Sequence, residues 1–482
     1  MAEGNAIKAL DSIELCNVVV TGIEFAELED LKIHHEPNRH AQASLVGTME
    51  KEKAEKFLQQ VDLKTVVKIE GKGGADSDAK QTLFQGCIVN VQLEASSRTM
   101  NRLRIALADV SIQLDIKRES RSFQVLTKKY EEILKVIYKT ETEGKIIMNV
   151  KDKAIEKFIL QLDETNWAFT KRMASHFHAP LITDLAADKP VISIGLRKEN
   201  QEVKYSVPFL FMSMSEQSYQ VMTKNELDKE TKAIREDFTS CQLSIWNYLY
   251  LGDVVQVGKK KYYVRQVDTS VQNKHLINHY VLVPQNGFLV PRIPHYACQG
   301  RLMKGQVQKV EKDKVQVHFL DIDEKYDTAS TAWFPFATVY SSSDGSGWYV
   351  MPEEKDYVRM MFPSADASEA YAASSINMVP MEKVKDKSFK APGGREILLT
   401  EDTIEIICDH QKIFVNLSKK DGISIVSAQD INVSADGNIS LDAKGKVQLL
   451  AKDEIELQSG SAHVKIKSDH VAMGGSSVLV GE

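Results

Sequence analysis

The sequence predicts a mainly β protein whose C-terminal part is a stacked β-solenoid. Three observations carry this reading. Apolar residues recur at every eighth position between 423 and 459. Within each octad the order is apolar, polar, apolar, polar, small, which is the period of a strand with one buried and one wet face. Upstream, short alternating segments follow one another between clusters of turn residues, the pattern of small β-barrels and sandwiches.

The octad series are regular. The first runs Ile423, Ile431, Ile439, Val447, Ile455, and the second Ile425, Val433, Leu441, Leu449, Leu457. A third series is small: Ser427, Ala435, Ala443, Ala451, Ser459. Corner residues such as Asp436-Gly437-Asn438, Lys444-Gly445 and Lys452-Asp453 lie between the strands, where tight-turn conformations cost little. A strand of about five residues cannot bury its apolar face alone, so the units must stack. The repeat leaves the number of chains open. Three octads of one chain could close a coil, or three chains could intertwine. Weaker copies flank the series at Ile397/Leu399, Ile404/Ile406 and Ile413/Val415 before it, and at Val464/Ile466 and Val471/Met473 after it.

At 482 residues the chain exceeds one domain. Its 61 basic and 67 acidic residues leave a net charge of −6, which argues against a nucleic-acid partner. Residues 1–6 lack the basic start and apolar core of a secretory signal. The five cysteines (Cys16, Cys87, Cys241, Cys298, Cys408) are scattered and show no Cys-x-x-Cys, as expected of thiols in a reducing cytoplasm.

From the N-terminus, Val18-Val19-Val20, Val66-Val67-Lys68-Ile69, residues 87–93 and residues 103–107 read as strands of a barrel spanning about 1–116, interrupted by a short helix at 51–60. Spacing then changes to helical: Tyr130, Ile133, Leu134, Ile137 and Tyr138 share one face. A second helix is expected at 164–177, with Trp167, Met173 and Phe177 inward. Strand signals return at 191–196, 252–257, 261–266 and 279–283, a second barrel-like subdomain within 190–297. Residues 298–384 carry five or so short strands, including 333–339 and 347–351, which suits a closed OB-type barrel. Residues 385–396 read as a charged connector, 397–474 as the repeat, and 475–482 as a tail.

In this order the chain resembles the VgrG-type spikes of contractile injection systems and the hub-and-spike proteins of contractile phage tails. Phe169-Thr170-Lys171-Arg172-Met173-Ala174-Ser175-His176-Phe177 is similar to the family's helix between two hub barrels. Gly347-Trp348-Tyr349-Val350-Met351-Pro352-Glu353, with Asp356-Tyr357-Val358-Arg359 and Phe362-Pro363, is similar to its OB signature, departing at Lys355 where the pattern has glycine. The resemblance implies a homotrimer whose hub caps a hexameric inner tube protein and engages baseplate and hub-adaptor proteins. The OB barrels would form a collar, and the octads an intertwined triple-stranded β-helix, a needle driven through a target envelope. The ten residues of the first two octad series are then the needle core. Gly474, Gly475, Val478, Leu479 and Val480 become the surface that docks a conical PAAR-type tip protein. Such a particle assembles in the bacterial cytoplasm and leaves without a signal peptide.

No catalytic, cofactor or metal site is expected. His34-His35-Glu36 with His40 reads as a solvated loop lacking support from a second segment. His463 and His470 stand seven residues apart and read as solvent-facing. Asp321, Asp323 and Glu324 form an acidic turn without an apolar cleft to raise one carboxyl's pKa. A secreted β-helix adhesin or polysaccharide-binding enzyme is the alternative, and it would need aromatic rows that this repeat lacks.

Overall fold

The computed structural model describes residues 12–72, 80–141, 143–198, 200–205, 211–227, 231–257, 259–379, 382–409 and 412–477. The chain divides into two compact units, Met1–Met378 and Val379–Glu482.

The first unit begins with alternating segments that pair as antiparallel neighbours. Val18–Thr21, Val66–Lys72, Lys80–Ala95, Met100–Asp109, Gln42–Glu50 and Glu27–His35 follow one another across a sheet. The sheet then continues through Lys260–Gln272, His275–Val283, Thr239–Ile245 and Phe211–Met214. The two strand groups expected to be separate barrels therefore belong to one hydrogen-bonded network. Ile33, His34 and His35 join them by pairing with Thr269, Asp268 and Val267. Inward residues from both groups, among them Leu31, Leu45, Leu103, Val264 and Leu282, form one apolar core. Helix α1 (Lys51–Gln60) stands where the sequence places it.

Between the two groups lies a helical module. Helix α2 (Tyr130–Glu141) buries Ile133, Leu134, Ile137 and Tyr138. Helix α3 (Asn166–Ser175) opens on Thr165, whose hydroxyl accepts the Ala168 N–H at 3.1 Å, a standard N-cap. Trp167 and Met173 of α3 are buried, and Phe177 packs beside them at the edge of the same core. Arg172 is also buried. Its guanidinium donates to both Glu164 carboxylate oxygens, at 3.0 and 2.7 Å, and to the Leu160 carbonyl at 2.7 Å. A charge taken from water is tolerated when it is paired and its donors are used in this way.

The small β-domain has the strand order Phe334–Pro335, Lys314–Phe319, Leu302–Glu311, Tyr357–Met361, Tyr371–Ser375. Its core of Val307, Val315, Val317, Phe319, Val358, Met360 and Phe362 is completed by Phe158 and Leu160 of the helical module. Two expectations are corrected here. Residues 347–351 form no ladder strand. Only Gly347 makes an isolated bridge, to Ser341, while Trp348, Tyr349 and Val350 are exposed and have no facing strand to complete a ladder. The 333–339 segment is a strand only at Phe334–Pro335. At the departure from the family pattern, Lys355 takes φ 75°, the left-handed conformation that glycine adopts freely. Its N–H donates to Val307 O, and Asp356 accepts the Glu353 N–H, so the turn is held without glycine.

In the second unit, Lys387–Lys390, Glu396–Leu399, Thr403–Asp409, Ile413–Ser418 and Gly422–Val426 form an antiparallel meander. The connector expected at 385–396 is corrected: it contains the first strand and the start of the second. A second meander follows, of Glu454–Ser459, Ala462–Lys467 and Val471–Gly474. Between the meanders, residues 427–453 adopt no strand in the single chain.

Candidate functional site: the open face of the repeat

Register decides what the meanders display. In the first, Phe389, Ile397, Ile406, Val415 and Ile425 stand opposite one another in one row across the five strands. Leu399, Ile404, Leu417 and Ile423 make a second row on the same face. A strand's side chains alternate, so both rows project from one side of the sheet. Most of these residues are exposed.

The two rows end on Ile425 and Ile423, the first members of the two octad series. The apolar stripe therefore runs from the sheet into residues 427–453. There Ile431, Val433, Ile439, Leu441, Val447 and Leu449 are each more than half exposed, with Leu441 at 75%. Among the described residues, no backbone hydrogen bond joins this stretch to another part of the chain. Extended backbone with unpaired N–H and C=O groups on both edges is a template for further strands.

The distal meander resumes pairing. Ile455 faces Ile466, which faces Val471, and Leu457 faces Val464, which faces Met473. The other face is charged and in register: Glu454 opposite Lys467, Glu456 opposite Lys465. Lys465 lies 2.9 Å from Glu456 and 3.6 Å from Glu454, and Lys467 3.2 Å from Glu454. Gly474 lies opposite His463, and a Cβ there would come 2.4 Å from the imidazole. Glycine at 474 thus clears the ring's seat. The sequence showed the Gly474-Gly475 pair but not this use. Of the residues expected to dock a tip protein, Val478, Leu479 and Val480 lie outside the described residues.

Sequence reasoning missed Phe389, the outermost member of the first row. It was hidden in a lysine-rich stretch, and the signal was the short alternation Lys387-Ser388-Phe389-Lys390. Leu450 also breaks the pattern. It occupies a position of the polar face and is 84% exposed.

The other polar clusters are structural ties. His34 bonds Asp268 at 2.6 Å, and His35, on the opposite face of the strand, is buried. His40 reaches Ser111 at 2.6 Å and Asp115 at 3.3 Å. Asp115 accepts from the Thr165 hydroxyl at 2.5 Å, so a hydrogen-bond chain links the first sheet to the cap of α3. Buried Asp109 accepts from Ala41 and Ser111 N–H groups and from the Thr183 hydroxyl, and burial pushes its carboxyl up from the usual range. Asp323 of the acidic turn accepts both the N–H and the hydroxyl of Ser122, while Asp321 accepts the Lys304 N–H at 3.4 Å. His470 bonds Asp469 at 2.6 Å. Among the described residues no group of three or more His, Cys, Asp or Glu side chains is placed to hold a metal.

No family model and no curated relative matches the sequence. Solved structures do match the fold. The Escherichia coli c3393 protein, described as a component of the type VI secretion system with structural similarity to the T4 tail proteins gp27 and gp5, aligns at a TM-score of 0.52 and 14% identity. The alignment covers 75% of this chain and 99% of that one. The half-lidded Francisella PdpA-VgrG complex aligns at 0.52 and 10% identity, over 86% of this chain and 87% of that one. The lidless form of that complex gives 0.51 at 10% identity, over 83% and 93%. The chain has the mainly β fold of these tail and spike proteins.

Proposed function

We propose that this chain is the fused hub and spike subunit of a contractile, phage tail-like injection machine. In this reading it works mechanically, as a homotrimer. The observation that carries it is the apolar stripe that runs along the chain from the Lys387–Val426 meander into an octad stretch without strand partners in its own chain. Three copies would supply those partners. Each face of a triangular prism would then be a ladder of strands from all three chains, with the two octad series sealed on the axis. No edge would stay open along the shaft. At about 4.8 Å per strand, roughly ten strand levels make a needle on the order of 50 Å.

The hub would cap a hexameric inner tube protein and seat baseplate and hub-adaptor proteins. Contraction would drive the needle through a target envelope, with a PAAR-type tip protein docked on it. Assembly in a bacterial cytoplasm belongs to the same reading. Light scattering of the purified protein tests it: about three times the chain mass is expected, and a clean monomer would sink it. Deleting residues 474–482 should leave a trimer that no longer retains a tip protein from the same gene cluster. Retention would move the docking surface elsewhere.

A further inference from the structure

A cavity of about 610 Å³ lies where the end of α3, the 291–295 linker and the 364–367 loop of the small β-domain meet. Phe158 and Leu160 pack with Ala367 and Phe362 beside this seam, and a small set of polar bonds crosses it. Ile293 N–H donates to the Ser175 hydroxyl at 3.0 Å, His295 N–H to the Ala365 carbonyl at 3.0 Å, and Lys157 approaches Asp366 at 4.0 Å.

Two histidines line the cavity, one from each side. His176, just past α3, bonds the Tyr130 hydroxyl through Nδ1 at 2.8 Å. His295, in the linker, is 5% exposed, and neither ring nitrogen has a partner in hydrogen-bond geometry. Its nearest carboxylate, Glu164 at 3.9 Å, is already held by Arg172. The charged groups around the two rings are Arg172, Arg292, Lys153 and Lys157 on one side of the balance, and Glu156, Glu226 and Asp366 on the other. With Glu164 bound to Arg172, no carboxylate is free to receive a proton-bearing His295. A charged His295 would be buried and repelled by Arg172, facing at 3.9 Å a carboxylate whose charge Arg172 already takes, a costly state.

We propose that this seam is a proton-operated latch: protonation of His176 and His295 releases the linker and the 364–367 loop from the end of α3. Burial, with Arg292 and Arg172, holds His176 down at about 3, only partly offset by Asp366. Burial and Arg172 hold His295 at about 4, eased only by the Leu162 backbone. The sign follows. Above the ordinary value near 6.5 both rings are neutral whether the seam is open or closed, and the latch is fully shut. Below it the open seam binds protons that the closed one refuses. The closed-to-open ratio then falls tenfold per pH unit for each histidine, until the closed-state values are reached. At pH 5 this is roughly thirtyfold for each ring, on the order of a thousandfold for both.

Hydrogen exchange on the intact protein at pH 7.0 and 5.0, corrected for intrinsic rates, reads the opening directly. The Ile293 and His295 amides should open several hundredfold more at pH 5, while core amides such as Val317 hold. Unchanged seam protection, or loss of protection at the core as well, would overturn the proposal. A double variant, His176→Gln with His295→Gln, should abolish the pH response and keep protection at pH 7. Should that variant fail to fold, NMR titration of the native histidines decides. Both rings must resist protonation until below pH 5, and a closed-seam ring titrating near 6.5 would end the idea.

Discussion

The first unit, Met1–Met378, and the second, Val379–Glu482, solve burial in opposite ways. In the first, Phe169, Leu103 and Val317 are fully enclosed by their own chain. In the second, β patterning is equally regular, yet Leu441 and Val433 stand about three-quarters exposed. The first unit's strands find partners distant in sequence but in the same chain, as where His35 meets Val267. Residues 427–453 have no strand partner of either kind among the described residues, and their apolar side chains stay exposed. A domain is autonomous when its chain supplies the far side of every apolar face. Residues 427–453 lack that far side in their own chain, and under the proposed trimer their stability would rise with protomer concentration.

Leu441→Asp tests this division most severely. Three carboxylates would be forced toward one dry axis, each costing several kcal/mol. Under the proposed trimer, the expected result is loss of a heat- and detergent-resistant oligomer with the first unit still folded. Ser440→Asp, on the other face, should change little. Equal behaviour of the two would mean the assigned faces are wrong.

The converse change is Phe169→Ala. Its ring stacks on Phe123 at 5.5 Å and carries the Arg172 guanidinium at 5.2 Å. Emptying that volume should cost about 3–5 kcal/mol in denaturant unfolding of the first unit while the mass of the proposed trimer is unchanged. If that trimer dissociates as well, the two units are not independent. Glu164→Gln should cost about 3 kcal/mol by leaving Arg172 buried beside a neutral partner. An unaltered unfolding midpoint would show that Leu160 O alone suffices.

The His35 ring sharpens the contrast through pH. Burial, Arg197 and His34 hold its pKa at about 3. Stability is therefore complete above about 6.5 and lost as pH falls, by about 2 kcal/mol at pH 5. Asp109, raised by burial, works the other way, so the measurement is the slope difference between wild type and His35→Asn. Identical slopes between pH 7 and 5 would refute it. The smallest effect belongs to Lys465→Ala. Its bridges to Glu454 and Glu456 sit on a wet face, and at physiological salt the protein's melting temperature should stay within error.

The helices show how local signals carry. Lys51–Gln60 was legible to its ends, and α2 and α3 to within a few residues, because their apolar spacing reports a single face. Strands 347–351 failed for a matching reason. Alternation marks a segment able to pair, but a ladder needs a facing strand, and the chain brings Tyr340 and Ser341 beside it for one isolated bridge. Phe389 escaped notice because its four-residue strand is too short to show a period among lysines.

The sequence by itself determined the β class, the octad period and which side chains share a face, since these depend on residue type and on spacings of two, three or four. Only the tertiary structure decided what each face meets. It set the joining of two strand groups through Ile33, His34 and His35, and the insertion of Phe158 and Leu160 into the small β-domain's core. It placed His176 and His295 in one cavity, and left residues 427–453 without a strand partner in their own chain. These are contacts between residues far apart in sequence. Their energy depends on shape, burial and partner charge after folding, which no local pattern encodes.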